Sequence, residues 1–190
     1  MKARGLVLFP GAGSSRDQST LLAIEQAVLP LPTFRIDFPY RREGRKFPDR
    51  TPILVQSVID EVNRTANKLR CSTSDLVIGG RSMGGRMCTM AMADEVAPLD
   101  VRGVICVSYP LHPPKKPDQL RTEHLPRVRA PSLFISGTRD EFGSPDELTR
   151  ELGAIPTPPT IEFIEGGRHE LKGHDDRVAA LIENWLVALQ

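Results

Sequence analysis

The sequence predicts an α/β fold, a three-layer α/β/α sandwich around about six parallel strands, and three observations carry that expectation. Short apolar runs alternate with helical patterns from one end of the 190-residue chain to the other. The runs are near-continuous in Val, Ile, Leu and Phe, as expected for parallel strands covered on both faces. Two segments break the rhythm, and both follow strand runs, at the edge where open α/β sheets bind their ligands.

Taken in order, the first strand is expected at Gly5 to Phe9, leading into Pro10-Gly11-Ala12-Gly13. The second, Phe34 to Phe38, runs out into a charged loop from Tyr40 to Arg50. Thr51 and Pro52 then supply a cap and a first-turn residue for a helix whose Leu54, Val58, Val62 and Leu69 share one face. The third strand, Leu76 to Gly79, meets Gly80-Arg81-Ser82-Met83-Gly84-Gly85, with a helical run starting near Arg86. The fourth, Val104 to Ser108, precedes a segment rich in Pro, Lys and His, Pro110 to Pro126. The fifth, Ser132 to Ser136, and the sixth, Ile161 to Ile164, are each followed by a short glycine-bearing loop. Val178, Leu181, Ile182, Trp185, Leu186 and Leu189 follow the i, i+3, i+4, i+7 pattern of a closing helix behind Asp175 and Asp176. Strands alternating with helices imply βαβ units. The length suits one domain over residues 1–190.

Composition narrows the function classes. Lys and Arg number 25 against 24 Asp and Glu, so no overall field draws the chain to nucleic acid or a membrane surface. Cys71, Cys88 and Cys106 are odd in number and lack CxxC spacing, so reduced, buried thiols are expected rather than disulfides or a metal site. No run has the length of a membrane span, and Leu6 to Phe9 is too short for a signal-peptide core, so a cytoplasmic protein is expected. No metal and no cofactor are expected; the oligomeric state is left open.

The central motif is Gly80-x-Ser82-x-Gly84 between a strand and a helix, the pattern of a nucleophile elbow. The turn is so sharp that the residues two before and two after must be small, and the hydroxyl is lifted clear of the sheet at the positive end of the next helix. A phosphate loop does not fit the same glycines, because Arg86-Met87 stands where Lys-Ser/Thr is required. Gly11-Ala12-Gly13 fails as a dinucleotide fingerprint, since Arg16 occupies its third glycine position.

A serine nucleophile needs a base, and the base needs an orienting carboxylate. Asp140 follows the fifth strand and His169 follows the sixth, and Ser82, Asp140, His169 is the chain order of a hydrolase-fold triad. His174 competes for the base, but its place at the mouth of the last helix suits capping or solvation; Asp146 and Asp175 look like helix-start residues. The oxyanion hole should use the N–H of Met83 and that of Ala12, with Gly13 the alternative to Ala12. Gly11, Gly13, Tyr40, Arg81 and His112 are the expected substrate-binding residues. His112 and His124, in the proline-rich segment, are candidate pocket residues or ordinary surface ones. Met83, Met87, Met90 and Met92 read as core filling.

Arg81, Arg41, Arg42, Arg45, Lys46, Lys115, Lys116 and Arg168 all map near the catalytic edge, which suits an acidic substrate group, although such charges are more often solvated or locally paired. Prolines 110, 113, 114, 117 and 126 allow only a short, stiff cover, so a shallow, open site is expected.

Pro10-Gly11-Ala12-Gly13, Asp37-Phe38-Pro39-Tyr40, Gly80 to Arg86, Tyr109-Pro110-Leu111-His112 and Gly166-Gly167-Arg168-His169 together resemble the α/β-hydrolase superfamily through nearly the whole chain. The likeness is greatest to a compact branch shared with testis-expressed (Tex) proteins and the hydrolase-like module of a chromatin-complex (NSL) subunit. The chain is also similar to dienelactone hydrolases, but Ser82 stands where those carry Cys. Pro10-Gly11 replaces the His-Gly common at the oxyanion loop. The chain lacks the length for the first two strands of the family's sheet and for a helical lid, so the resemblance implies a minimal, six-stranded version. The expected function is a serine hydrolase acting on a small ester or thioester through an acyl-enzyme. A non-catalytic interaction module and acyl transfer to an acceptor other than water are the alternatives.

Overall fold

The computed structural model describes residues 2–189. Six strands, β1 (Gly5–Phe9), β2 (Thr33–Arg35), β3 (Leu76–Arg81), β4 (Gly103–Val107), β5 (Ser132–Gly137) and β6 (Thr160–Ile164), form one sheet in the order β2-β1-β3-β4-β5-β6. Every neighbouring pair is parallel, with Val7 beside Phe34 and Ile78 at the left of the sheet and Phe134 between Cys106 and Ile161 at the right. The chain builds outward from β1 to β2, then crosses back to lay β3 on the other side of β1. The carboxyl ends of β1 and β3 therefore flank the point where the winding reverses, the usual place for a ligand crevice.

Both faces of the sheet are covered. Leu6, Leu8, Val77, Ile105 and Ile135 pack with Leu21 and Ile24 of α1 (Ser19–Ala27) and with Val178 and Ile182 of α6 (Asp175–Ala188). The intervening strand residues, Val7, Phe9, Ile78, Val104, Cys106 and Phe134, point the other way. They meet Leu54, Val58 and Val62 of α3 (Thr51–Leu69), Met87 and Ala91 of α4 (Met83–Met92), and Leu148 and Leu152 of α5 (Pro145–Leu152). Burial on both faces explains the unbroken apolar runs, since alternate residues of one strand enter different cores. Full burial of a side chain such as Ile182 contributes about 1.5–3 kcal/mol. Thr20 Oγ1 donates to Asp175 Oδ1 at 2.6 Å and ties α1 to the start of α6.

Among the strands only β1 keeps its expected bounds; β5 and β6 each gain one residue, and the other three differ for tertiary reasons. The second strand covers only Thr33–Arg35 rather than 34–38, because Phe38 caps a short helix, α2 (Pro39–Arg42), that Pro39 starts. Phe38 and Tyr40 turn inward as an aromatic column on Phe9, with ring centroids 5.3 Å and 6.5 Å apart. The third strand runs on to Arg81 because β1 pairs it as far as Gly80 and β4 pairs Arg81 itself. The fourth stops one residue early, where Ser108 takes φ 53. Residues 110–126 form no helix except the start of a single 3₁₀ turn, Leu125–Arg127. The segment is nevertheless pinned: Leu111 and Leu125 are fully buried, and the Arg121 N–H donates to Leu111 O at 2.8 Å.

Candidate active site

Ser82 sits between β3 and α4 with φ 49 and ψ −114, a backbone state a non-glycine residue holds at a cost of about 1–3 kcal/mol. Strand and helix almost touch there: a Cβ on Gly80 or on Gly84 would collide with the Phe9 carbonyl oxygen. That contact is why α4 begins at Met83, immediately after the serine, and not near Arg86. Glycines that weaken an isolated helix are what this one needs to pack. The Ser82 N–H donates to Val107 O at 2.8 Å and fixes the turn to β4.

His169 and Asp140 arrive on the loops after β6 and β5, which are laced together. The Arg139 N–H donates to Gly167 O at 2.8 Å, and the Gly166 N–H donates to Thr138 Oγ1 at 2.8 Å. His169 Nε2 lies 2.9 Å from Ser82 Oγ, and Nδ1 lies 2.9 Å and 3.0 Å from the two oxygens of Asp140. An ionised carboxylate only accepts, so Nδ1 carries the hydrogen and Nε2 presents its lone pair to the serine hydroxyl. Asp140 is fixed by two further donors, Ser136 Oγ at 3.1 Å and the Phe142 N–H at 2.9 Å. The Phe142 ring stacks on the imidazole with centroids 3.9 Å apart.

Arg81 is only 3% exposed, and it holds the histidine loop from beneath. Its Nη2 donates to His169 O at 2.6 Å and lies 3.2 Å from Glu170 Oε2. It lines the cleft, as expected of a substrate-binding residue, yet its charge is occupied by the His169 carbonyl and Glu170.

A cleft of about 440 Å³ opens over Ser82, walled by Gly11, Ala12, Met83, Leu54, Pro110 and Phe142 among others. The loop after β1 comes right up to Ser82, since a Cβ on Gly11 would stand 3.6 Å from Ser82 Cβ. The amides of Ala12 and Met83 make no hydrogen bond among the described residues, and Met83 N–H is one of the four free donors at a helix start. Of the other expected binding residues, Gly13, Tyr40 and His112 do not line this cleft. Tyr40 is fully buried beside Gly13 of the loop after β1, and burial raises its pKa. His112 is buried against α5, with Nδ1 2.8 Å from Pro113 O and Nε2 3.7 Å from Glu147. His124 is buried as well, with Nε2 2.9 Å from Thr89 Oγ1. His174 is the first cap residue of α6 and makes no side-chain capping bond.

Besides Arg81, three of the basic loop charges have local partners: Arg42 with Glu61 at 2.7 Å, Arg45 with Asp49 and Glu43 at 2.6 Å each, and Arg168 with Glu141 at 4.0 Å. Among the cleft residues that sequence reasoning missed are Phe142, Arg86 and Arg121, and it also missed Ser136 behind Asp140. Arg86 is four positions after Ser82 on α4 and was within reach of a helical-face argument; nothing local marks Arg121. A larger depression, about 530 Å³, lies beside Met92, Leu99 and Arg127, but no Ser, Cys or His lines it. Among the described residues no group of three or more His, Cys, Asp or Glu is placed to hold a metal ion. None of the described helices is long and apolar enough to cross a membrane.

Solved structures share this architecture over nearly the whole chain. Est1E from Butyrivibrio proteoclasticus superposes with a TM-score of 0.77 at 12% identity, covering 99% of this chain and 88% of that one. A dienelactone hydrolase from Anabaena variabilis gives 0.74 at 22% identity, over 98% and 87% of the two chains. A monoacylglycerol lipase from Paleococcus ferrophilus gives 0.74 at 16%, over 100% and 96%. Identities this low speak for the fold alone. In sequence, 65 residues are 34% identical to a pimeloyl-[acyl-carrier protein] methyl ester esterase of Stenotrophomonas maltophilia, a match over 34% of this chain and 25% of that protein. The family model of the alpha/beta hydrolase domain matches residues 2–188, and the chain belongs to that family.

Proposed function

We propose that this chain is a serine hydrolase that cleaves a small ester or thioester through an acyl-enzyme on Ser82. The observation that carries the reading is the unbroken hydrogen-bond chain Ser82–His169–Asp140 at the floor of an open cleft. In the proposed reaction Ser82 Oγ attacks the ester carbonyl while His169 Nε2 takes the hydroxyl proton. Asp140 holds the imidazole in the Nδ1–H form and stabilises the imidazolium that develops. The Met83 and Ala12 amides receive the oxyanion. His169 returns the proton to the departing alcohol or thiol, and a water then repeats the sequence on the acyl-serine, releasing acid and free enzyme. The strain at Ser82 and the absence of any other duty for its hydroxyl support a catalytic role over a purely structural one. The motifs at 37–40 and 109–112 support placement in the compact branch shared with the Tex proteins and the NSL subunit. Three free cysteines suit a reducing cytoplasm.

A fluorophosphonate probe followed by peptide mapping tests the reading. Labelling is expected on Ser82 alone and is lost in Ser82→Ala. A folded protein that takes no label at neutral to mildly alkaline pH would instead favour the non-catalytic interaction module.

A further inference from the structure

We infer that the Ser82 cleft selects esters of short dicarboxylic acids, with the free carboxylate held between Arg86 and Arg121. The inference rests on the hydrolase reading and extends it to a substrate class.

Both arginines line the cleft, Arg86 from α4 and Arg121 from the proline-rich segment. Every carboxylate lining the same cleft already has a cation of its own: Asp49 has Arg45 at 2.6 Å, Glu170 has Arg81 at 3.2 Å, and Glu141 has Arg168 at 4.0 Å. No carboxylate among the described residues lies within 4.0 Å of Arg86 or Arg121. The Arg86 guanidinium makes no hydrogen bond within the described residues, and its Nε is buried without a partner. Arg121 reaches only the Pro110 carbonyl oxygen, at 3.5 Å.

The groups behind them supply no compensating charge. His124 is neutral, pushed down to about 4 first by burial and then by the charges of Arg86 and Arg127. Tyr109 stays protonated, because burial raises its pKa far above the neutral range. The Arg121 pKa is lowered by burial and next by Arg86, so the two guanidiniums repel each other across this corner. Arginine does not escape such a position by losing its proton. What satisfies two forked, partly desolvated guanidiniums is a planar anion, and a carboxylate accepts from such donors in pairs.

Spacing sets the length of the substrate. Arg86 follows Ser82 by four residues, about one helical turn, so both side chains leave the same face of α4 into one cleft, and a short diacid is the substrate length that suits this spacing. Leu54, Met83 and Met87 offer apolar contact for the methylenes between.

The test compares monoethyl glutarate with diethyl glutarate, following ethanol release, with the diester rate halved for its two equivalent bonds. The wild-type protein is expected to favour the hemiester at least tenfold in kcat/KM, mainly through KM. Arg86→Gln and Arg121→Gln should bring that ratio towards one, and Arg121→Lys should restore part of it. A wild-type ratio of one or less, or a ratio that neither Gln variant lowers, overturns the inference. Calorimetry of glutarate on the Ser82→Ala protein separates this failure from failure of the hydrolase reading. Saturable binding that Arg121→Gln weakens supports the anion site even where the probe does not label Ser82. Labelling without glutarate binding sinks the anion site alone, and tighter binding of inorganic phosphate than of glutarate overturns the carboxylate assignment.

Discussion

Helix α4 carries two hydroxyl–imidazole pairs, and they differ in what stands behind the imidazole. Ser82 caps the helix and lies 2.9 Å from His169 Nε2; Thr89, seven residues on, lies 2.9 Å from His124 Nε2. Both histidines are 6% exposed. Behind His169 stands the Asp140 carboxylate, which accepts from Nδ1, whereas the charges that reach His124 are the cations Arg86 and Arg127. Thr89 also donates its hydroxyl hydrogen to Arg86 O at 2.8 Å and is fully buried, so it has neither a free proton to give nor a substrate to attack. A hydroxyl against an imidazole is therefore only a hydrogen bond. The carboxylate behind the ring and the cleft in front of it set the Ser82 pair apart, and the proposed nucleophilic attack rests on that difference.

The sharpest way to break this comparison is to remove each imidazole. His169→Ala should lower the ester kcat by roughly 10⁶-fold, while His124→Ala should leave the rate per folded molecule near that of the wild type. Steady-state kinetics on a short ester checks both, and a larger loss from His124→Ala would mean that the base has been assigned to the wrong pair. Next comes the carboxylate. Asp140→Asn keeps the shape but lets the side chain donate to Nδ1, so the wrong tautomer faces Ser82; a loss of roughly 10⁴-fold in kcat is expected. An Asn variant with near-normal turnover would show that the carboxylate does not orient the base.

The smallest effect concerns stability. The folded pKa of His124, about 4, lies below the ordinary histidine value of 6.5. Between those values the unfolded chain binds the proton that the folded chain excludes. Stability is therefore intact above pH 6.5 and falls as the pH drops towards 4, by roughly 3 kcal/mol. Urea unfolding at pH 7.5 and 4.5 should show that loss in the wild type and a smaller one in His124→Gln. Equal losses in the two proteins would mean that His124 is not held neutral in the core.

What the sequence by itself determined is local or ordered along the chain. Largely apolar runs of four or five residues announced strands buried on both faces, because a parallel strand must satisfy two cores at once. Gly80-x-Ser82-x-Gly84 announced the sharp turn, since only glycine can lie against the Phe9 carbonyl. The order of Ser82, Asp140 and His169 nominated three residues, each placed by the strand before it at the same edge of the sheet. Only the tertiary structure decided which charges are occupied and which histidines are enclosed. Arg81 resembled a substrate ligand until Glu170 and the His169 carbonyl were found on it, and Arg45, one of the basic charges near the catalytic edge, is paired with Asp49. Arg86 and Arg121 were not singled out as binding residues in sequence, because a charge is conspicuous through the lack of a partner, and a partner can come from anywhere in the chain. Tyr40 and His112 sit beside strand ends in sequence yet turn inward, because aromatic packing on Phe9 and the close contact with α5 bury them. Strand formation depends on neighbours a few residues away, whereas charge pairing and burial depend on segments far apart in sequence, such as residues 82, 121 and 169, which meet only once the sheet has closed.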